Sequence, residues 1–281
     1  MARMKSALLA LAALTGAALA EPLPVDAITF NIRHDNPKDG ENAWPERKAM
    51  VGEWLTAESP DVVGLQEALR HQIDDLLKSA PTYAEFGVGR DDGKSKGEHC
   101  TILYKAERFE PGEGGTFWLS DTPEKIASKS WGNGIPRICT WLHLTDKATK
   151  RGVYVYNVHW DHRSQPSRER AAELINERIL ARTKKDDPVI LMGDFNAAED
   201  NPAIATLKKH FVDTFRIAHP DEKFVNTFGG FKPIKAEGRK IDHVFIQPDS
   251  AEVKSATIDR YGREGRTLSD HFPVRAKLVF P

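Results

Sequence analysis

The sequence predicts an α/β fold in which two similar half-sheets pack face to face within one domain. Two features of the order of elements indicate this fold. Strands and helices alternate at the start of the chain, and a second strand–helix–strand unit begins at Gly152. Several strands are continuous apolar runs, as in sheets that are covered on both faces. With 40% hydrophobic and 29% charged residues, the composition is that of an ordinary globular protein.

The first half of the chain supplies two strands and two helices in alternation. A strand is predicted over Val25–Asn31, and a helix begins near Trp44, where a proline in the first turn is favourable. Pro60 ends this helix. A second buried strand covers Asp61–Glu67, and a second helix covers Leu69–Leu77.

The middle of the chain predicts an antiparallel meander, because short strands follow one another without long helices. These strands are Phe86–Val88, His99–Tyr104, Thr116–Leu119 and Arg137–Leu144. A strand, a helix and a buried strand follow, and three late strands complete the chain. The first of these strands covers Gly152–His159, the helix covers Arg168–Lys184, and the buried strand follows Pro188 directly. The three late strands are Lys240–Ile246, Val253–Ile258 and Val274–Phe280.

Residues 1–20 have the layout of a cleavable secretory signal. Two basic residues precede the apolar stretch Ala7–Leu14, and small residues lead to Ala20. The apolar stretch is too short to span a bilayer comfortably. We therefore expect a signal peptide cut after Ala20, a single domain over 21–281, and a periplasmic or secreted protein without stable membrane insertion. A retained anchor is the less favoured alternative.

The charge balance argues against a protein that wraps long nucleic acid. The chain has 40 basic and 41 acidic side chains, and its formal net charge is −1. Proteins that wrap nucleic acid usually carry a basic excess. This lowers the expectation of tight non-specific DNA binding, but a local basic patch would still allow a nucleic-acid substrate.

The cysteine content leaves two interpretations open. Cys100 and Cys139 are the two cysteines, and each falls in a predicted strand. In an exported protein they could pair as a disulfide, or they could remain separate buried thiols. Two cysteines are too few for a structural zinc site.

The apolar run after Pro188 ends in polar side chains that could form a site. Asp194 and Asn196 follow Gly193 and are two residues apart, so an extended backbone directs both to the same side. Paired oxygen ligands on a rigid strand suit a hard divalent cation. A turn would explain the same residues equally well when this stretch is taken alone.

The same pattern recurs at other predicted strands. The further polar segments are Asn31, Gln66-Glu67, Asn157-Val158-His159, Ile241-Asp242-His243 and Ser269-Asp270-His271. Each has a structural explanation by itself: Glu67 would cap a helix, and His159 would be a hydrogen-bonded core histidine. Together they indicate a site, because such groups are costly to bury without partners or a metal ion.

These segments, in the order in which they occur along the chain, resemble the motifs of the endonuclease/exonuclease/phosphatase superfamily, which includes deoxyribonuclease I. The strongest matches are Gly193–Asn196 and Ser269–Val274 together with Glu67. The resemblance implies an α/β four-layer αββα sandwich, in which two mixed β-sheets pack face to face with helices outside. It also implies a divalent-metal-dependent phosphoesterase, in which an activated water attacks phosphorus in line.

Further matches indicate an exported bacterial subgroup of unknown substrate. They are Phe30–Arg33, Asp39–Trp44, Gly87–Lys94, Gly115–Ser120 and Phe231. Arg33 stands where some apurinic endonucleases of the superfamily have an aspartate, which weakens a direct transfer from the DNA-repair enzymes. An arginine there could hold a substrate phosphate instead.

The resemblance implies three groups of site residues. Asn31, Glu67 and Asp270 would hold Mg²⁺, with Mn²⁺ as a possible substitute. The catalytic residues would be His159, Asp194, Asn196, Asp242 and His271. Arg33, Asn157 and Arg168 are expected to bind the substrate, although Arg168 would also be explained as a helix start.

Each catalytic residue has an expected role. Asp194 and Asn196 would position and deprotonate the attacking water, or ligate a second metal ion. His271 would bind a phosphoryl oxygen, with its tautomer fixed by Asp242. His159 would contact the phosphate or protonate the leaving oxygen.

The expected partner is a phosphoester substrate, and no protein partner is implied. The first hypothesis is a nuclease-like phosphodiesterase. The alternative is a phosphatase or phosphodiesterase acting on a small phosphorylated sugar, inositol or lipid headgroup, which the near-neutral charge and Arg33 keep open. A non-catalytic binding protein on the same fold is less favoured.

Overall fold

The computed structural model of the chain describes residues 21–232, 235 and 238–281. The predicted signal peptide, residues 1–20, lies outside the described residues. None of the helices in the described ranges is long and apolar enough to cross a membrane.

The elements follow one another largely as the sequence predicts. In chain order they are β1 (Leu23–Asn31), a 3₁₀ helix (Pro37–Asn42), α1 (Trp44–Glu58), β2 (Val62–Gln66), α2 (Arg70–Ser79), β3 (Tyr83–Phe86), β4 (Ile102–Lys105), β5 (Phe109–Trp118), β6 (Ile138–Asp146), β7 (Gly152–His159), α3 (Gln165–Leu180), β8 (Val189–Asp194), α4 (Pro202–Leu207), β9 (Val212–Asp213), α5 (Thr214–Ala218), β10 (Asp242–Ile246), β11 (Glu252–Ile258), β12 (Gly262–Arg263), β13 (Arg266–Thr267) and β14 (Val274–Phe280).

The strands form two mixed six-stranded sheets and one small ribbon. The first sheet has the order β11-β14-β1-β2-β4-β3, and the second has the order β5-β6-β7-β8-β10-β9. Each has one central parallel pair, β1 with β2 and β7 with β8, and antiparallel pairs around it. The two half-sheets expected from the sequence are therefore confirmed as two sheets of similar topology.

The two sheets face each other across a shared apolar core, and the helices cover their outer faces. Val25 of β1 and Met192 of β8 lie in the core between the sheets. Trp54 of α1 packs in a second cluster against the first sheet, and Ile175 of α3 packs in a third against the second sheet. This arrangement confirms the predicted four-layer αββα sandwich.

The expected antiparallel meander is divided between the sheets, which corrects that prediction. β3 and β4 pair with each other and join the first sheet through β2, whereas β5 and β6 belong to the second. Both sheets bury one face against the same core, so the apolar pattern of a strand does not specify which sheet it joins.

Local capping decides where α3 begins. The helix starts at Gln165, earlier than the predicted Arg168, because the Ser164 hydroxyl accepts a hydrogen bond from a first-turn N–H and Pro166 occupies the first turn.

The structure decides between the two interpretations of the cysteines. Cys100 and Cys139 are both buried, and neither is in a disulfide.

Candidate active site

The predicted site residues meet at one edge of the sandwich. Asn31 and Asp194 end β1 and β8, and these ends meet at the starts of the antiparallel strands β10 and β14. A pocket of about 350 Å³ opens there. Its lining includes the predicted residues Arg33, Glu67, His159, Asp194, Asn196, Asp270 and His271. The open edge of an α/β sheet thus holds the site, as is usual for such folds.

Asn31 connects the two sheets at the base of the pocket. Its Nδ2 donates to Glu67 Oε1 at 3.1 Å and to Asp194 Oδ2 at 3.0 Å. Its Oδ1 accepts a hydrogen bond from the backbone of Arg33 at 3.0 Å. The side chain is fully buried, so this amide fixes the relative positions of two carboxylates that belong to different sheets.

His271 and Asp242 form a hydrogen-bonded pair beside Asp194. His271 Nδ1 lies 2.9 Å from Asp242 Oδ2, and Asp242 is opposite Asp194 in the β10–β8 pairing. Burial lowers the pKa of His271, but the charges of Asp242 and Asp194 outweigh burial and hold this pKa well above its ordinary value. The imidazole is therefore expected to carry a proton at neutral pH, with its Nε2 on the side of Asp194.

The pKa of Asp194 is raised as well, but for a carboxyl group this favours the neutral form. Burial and the charge of Asp242 raise the pKa of Asp194 to about 7. The carboxyl group accepts from the Asn196 backbone at 2.9 Å and lies 3.5 Å from His159 Nε2. A carboxyl group with a pKa near neutrality can accept and release a proton under physiological conditions.

Two further carboxylates lie on another wall of the pocket. Glu67 Oε2 lies 2.8 Å from His34 Nδ1. Burial raises the pKa of Glu67, but the hydrogen bond from His34 and nearby histidine charges hold this pKa well below its ordinary value. Burial and the charge of Glu67 raise the pKa of Asp270. Arg33 is close to both acids: its Nη1 lies 3.8 Å from Glu67 Oε2, and its Nε lies 3.9 Å from Asp270 Oδ2.

The donor set fits a hard divalent cation beside Glu67 and Asp270. A separate cluster in the described part of the chain, Asp194, Asp242 and His271, has three ligand atoms within 4.8 Å of one another. In that cluster the histidine is hydrogen-bonded to Asp242 and favours its protonated form, whereas a metal ligand must be deprotonated. Glu67 and Asp270 supply carboxylate oxygens, and a cation would offset the repulsion between the two acids. Asn31 directs its Nδ2 to Glu67 and its Oδ1 to the backbone of Arg33, so it positions Glu67 and does not offer a free oxygen.

Three pocket residues have left-handed backbone conformations. The φ angles are 57° for Arg33, 59° for Glu67 and 48° for Asn196. Each residue lies just beyond the end of a strand, so the chain turns sharply at the point where the side chain reaches the pocket. Such conformations are unfavourable for residues with a Cβ and concentrate at functional sites.

Two predicted substrate-binding residues do not reach the pocket. Asn157 is buried between the sheets, where its Nδ2 donates to the Leu65 carbonyl at 2.8 Å and its Oδ1 accepts from Gln66 Nε2 at 2.6 Å. Arg168 donates to Gln165 Oε1 and to the Asp161 carbonyl. Both side chains hold the fold together, which corrects the expectation that they contact the substrate.

Arg33 reaches the pocket, but its guanidinium group is already engaged. Its Nε and Nη2 donate to the two oxygens of Asp39 at 2.9 Å and 3.1 Å. The two-pronged contact that an arginine offers to a phosphate is therefore made within the protein.

Further pocket residues come from loops and lie outside the predicted set of site residues. They are His34, Glu98, Ile135, Arg137, His162 and Phe228. Glu98 is brought in by the ion pair with Arg90, at 2.6 Å and 2.8 Å. Phe228 packs edge-on against His271, with ring centroids 4.9 Å apart. No motif or spacing in the sequence predicts that these residues line the pocket, because contacts between distant parts of the chain determine the positions of their loops.

The sandwich fold and this arrangement of an acid–histidine pair with clustered carboxylates define the class of phosphoester hydrolases with the deoxyribonuclease I-like fold. A family model described as the Endonuclease/Exonuclease/phosphatase family matches residues 28–271. The chain therefore belongs to this family, as its motifs predict.

Solved structures show the same likeness. An endonuclease/exonuclease/phosphatase from Bacteroides vulgatus is 34% identical, with a TM-score of 0.87 over 92% of this chain and 100% of that chain. A mannosyl-6-phosphatase from Bacteroides thetaiotaomicron is 35% identical, with a TM-score of 0.83 over 91% of this chain and 100% of that chain. The human Nocturnin catalytic domain with bound sulfate has a TM-score of 0.73 over 93% and 97% of the two chains, and at 17% identity it supports the fold alone.

Proposed function

We propose that the protein is a divalent-metal-dependent phosphatase that acts on a small phosphorylated sugar or a related polyhydroxylated molecule. The observation that carries this proposal is the pocket of about 350 Å³, because a pocket of this size suits a small ligand. Similarity to the mannosyl-6-phosphatase supports the same substrate class.

The proposed reaction is in-line attack of water on phosphorus. Asp194, with a pKa of about 7, takes a proton from the attacking water. The bond from phosphorus to the alcohol oxygen breaks as the bond to water forms, and the departing oxygen takes a proton from solvent water in the pocket. His271 donates a hydrogen bond through Nε2 to a phosphoryl oxygen, and Asp242 holds the ring by its Nδ1. Charge that develops on the phosphoryl group in the transition state is thereby met by a fixed, protonated imidazole.

His159 is assigned to the phosphate contact and not to protonation of the leaving group. Burial and the charge of Arg137 hold the pKa of His159 well below its ordinary value, so the ring is neutral at neutral pH. A neutral imidazole can donate one hydrogen bond to a phosphate oxygen but is a poor acid.

Mg²⁺ or Mn²⁺ would be held by the carboxylates of Glu67 and Asp270, with Asn31 beside the ion, where its amide positions Glu67 by a hydrogen bond. When bound, the ion would polarise a phosphoryl oxygen and so help to stabilise the transition state. Arg33 lies beside both acids, and its ion pair with Asp39 holds the loop that carries it next to this position.

A nuclease-like phosphodiesterase is the second candidate. The specific observation in its favour is Phe228, a large apolar side chain that is 47% exposed and lines the pocket. An exposed aromatic ring at this position could stack on a nucleobase.

The substrate class is tested with the purified protein in the presence of Mg²⁺, Mn²⁺ or EDTA. We expect turnover of p-nitrophenyl phosphate and of hexose phosphates to exceed turnover of bis-p-nitrophenyl phosphate and single-stranded DNA, and to be abolished by EDTA. Preference for the diester and DNA would select the second candidate. Absence of turnover with every substrate and metal would overturn the assignment as an enzyme.

We further propose that the enzyme consists of one domain over 21–281 and acts in the periplasm or outside the cell. The support is the basic, apolar and small-residue pattern of residues 1–20. Expression of the full chain tests this, since export predicts a shorter product that begins at Glu21 and lies outside the cytoplasm.

A further inference from the structure

Arg137 lines the active-site pocket and has two guanidinium nitrogens without a hydrogen-bond acceptor. It lines the pocket, yet its side chain is only 3% exposed. Its Nη2 donates to His162 Nδ1 at 2.8 Å. Among the described residues, its Nε and Nη1 are buried without any hydrogen-bond acceptor. Buried polar groups are normally hydrogen-bonded, and a buried charge that lacks such a partner is costly.

The carboxylates nearest to Arg137 are engaged elsewhere. Asp161 Oδ2 is 3.6 Å from Nε, which is too far for a hydrogen bond, and Asp161 Oδ1 accepts from the backbone N–H groups of Arg163 and Ser164. Glu98 receives both hydrogen bonds from Arg90. The guanidinium group therefore has an ion-pair neighbour in Asp161, but its Nε and Nη1 donors have no acceptor in the described structure.

We propose that Arg137 binds an anionic phosphate oxygen of the substrate, with His162 holding the guanidinium group in place. This inference rests on the proposed phosphatase function and names the residue that recognises the substrate's charge. Arg33, the arginine expected to do so from the sequence, is paired with Asp39. Arg137 keeps its donors for a ligand, and a guanidinium fork matches two phosphate oxygens.

The phosphate oxygen that Arg137 binds could belong to the scissile phosphate or to a second phosphate on the substrate. Arg137 lines the same pocket as His159, the residue assigned to the phosphate contact. p-Nitrophenyl phosphate contains the scissile phosphate alone, whereas a hexose bisphosphate contains both, so the two substrates distinguish the sources.

The test compares Arg137→Gln and Arg137→Lys with the wild-type enzyme and with Arg163→Gln. Arg163 is an exposed arginine on the neighbouring loop and lies outside the pocket lining, so its substitution controls for net charge. We expect both Arg137 variants to lower kcat/KM by about 10²-fold, since hydrogen bonds to charged groups are the strong ones. Arg163→Gln should leave kcat/KM unchanged.

The possible results separate this inference from the proposed function. A loss on p-nitrophenyl phosphate assigns Arg137 to the scissile phosphate, and a loss on the bisphosphate alone assigns it to a second phosphate. Wild-type kcat/KM for both variants on both substrates would overturn the inference while the phosphatase function stood. If the wild-type enzyme hydrolysed no phosphoester, the proposed function would fail first.

A measurement without substitution covers the case in which the variants do not fold. In a crystal of the wild-type protein soaked with inorganic phosphate, we expect a phosphate oxygen within hydrogen-bond distance of Arg137 Nη1 or Nε. Phosphate bound in the pocket without this contact would refute the inference.

Discussion

Replacement of Asp242 by Asn tests the acid–histidine pair most directly. Asp242 is 1% exposed, and its Oδ2 lies 2.9 Å from His271 Nδ1. The substitution keeps the size of the side chain and removes its charge. Two unit charges about 4 Å apart in a protein of effective dielectric constant about 20 interact by about 4 kcal/mol. Loss of that interaction corresponds to about 10³-fold in rate, so we expect kcat to fall by about 10²–10³-fold.

The pH dependence of kcat tests the role of Asp242 independently. Asp242 holds the pKa of His271 above its ordinary value, so the wild-type enzyme keeps His271 protonated as the pH rises past neutrality. Without the charge of Asp242 this pKa falls, and the decline of kcat at high pH should move to lower pH. The assay is hydrolysis of p-nitrophenyl phosphate with saturating Mg²⁺ between pH 5 and pH 9.

Two further proteins control the experiment. Asp187 pairs with His143 Nε2 at 2.7 Å, and neither residue lines the pocket, so Asp187→Asn should leave kcat and its pH profile unchanged. If Asp242 acts through His271, the double variant Asp242→Asn/His271→Ala should be no slower than His271→Ala. If the loss of kcat in the double variant equalled the product of the losses in the two single variants, the coupling would be refuted.

Three other predictions concern metal binding and stability. Glu67→Gln should abolish the rise in Tm that saturating Mg²⁺ gives the wild-type protein, as measured by calorimetry, since a ligand stabilises only the state that binds it; an equal rise in the variant would exclude Glu67 as a ligand. In EDTA at pH 8, Asp194→Asn should raise Tm, because a carboxyl group with a pKa raised to about 7 destabilises the fold once it ionises, and the gain should shrink at pH 5. Lys240→Met removes the lysine that is paired with the buried Asp213, which keeps its contact with His243, and should lower the free energy of urea unfolding by about 3–5 kcal/mol, whereas Lys254→Met on the surface should have little effect.

The sequence anticipates most of the secondary structure and the majority of the site. Asn31, Glu67 and His271 follow or precede buried apolar strands, and burial of such polar groups without a function is costly. The layered architecture follows from the alternation of strands and helices, and from the resemblance that the motifs carry. The predicted β7 and β14 have the observed bounds because both are short, strongly patterned strands.

Side-chain direction and loop placement are not readable in the same way. Asn157 and His159 point to the same side of β7, but Asn157 lies one step deeper, where it bonds the backbone of the first sheet. A pattern with a period of two residues cannot tell the core from the pocket along one strand. Likewise, only the fold shows that the guanidinium group of Arg33 is paired with Asp39.

The sequence by itself determined the family, the two-sheet fold and seven of the residues that line the pocket, because these depend on local patterns that lie at the ends of strands. The tertiary structure alone decided which arginine is free to meet a phosphate, and which loops enclose the pocket. Arg137 and Glu98 are far from the motifs along the chain, and they reach the site through contacts between loops. Those contacts are set by packing and by buried ion pairs, which no short segment of sequence encodes.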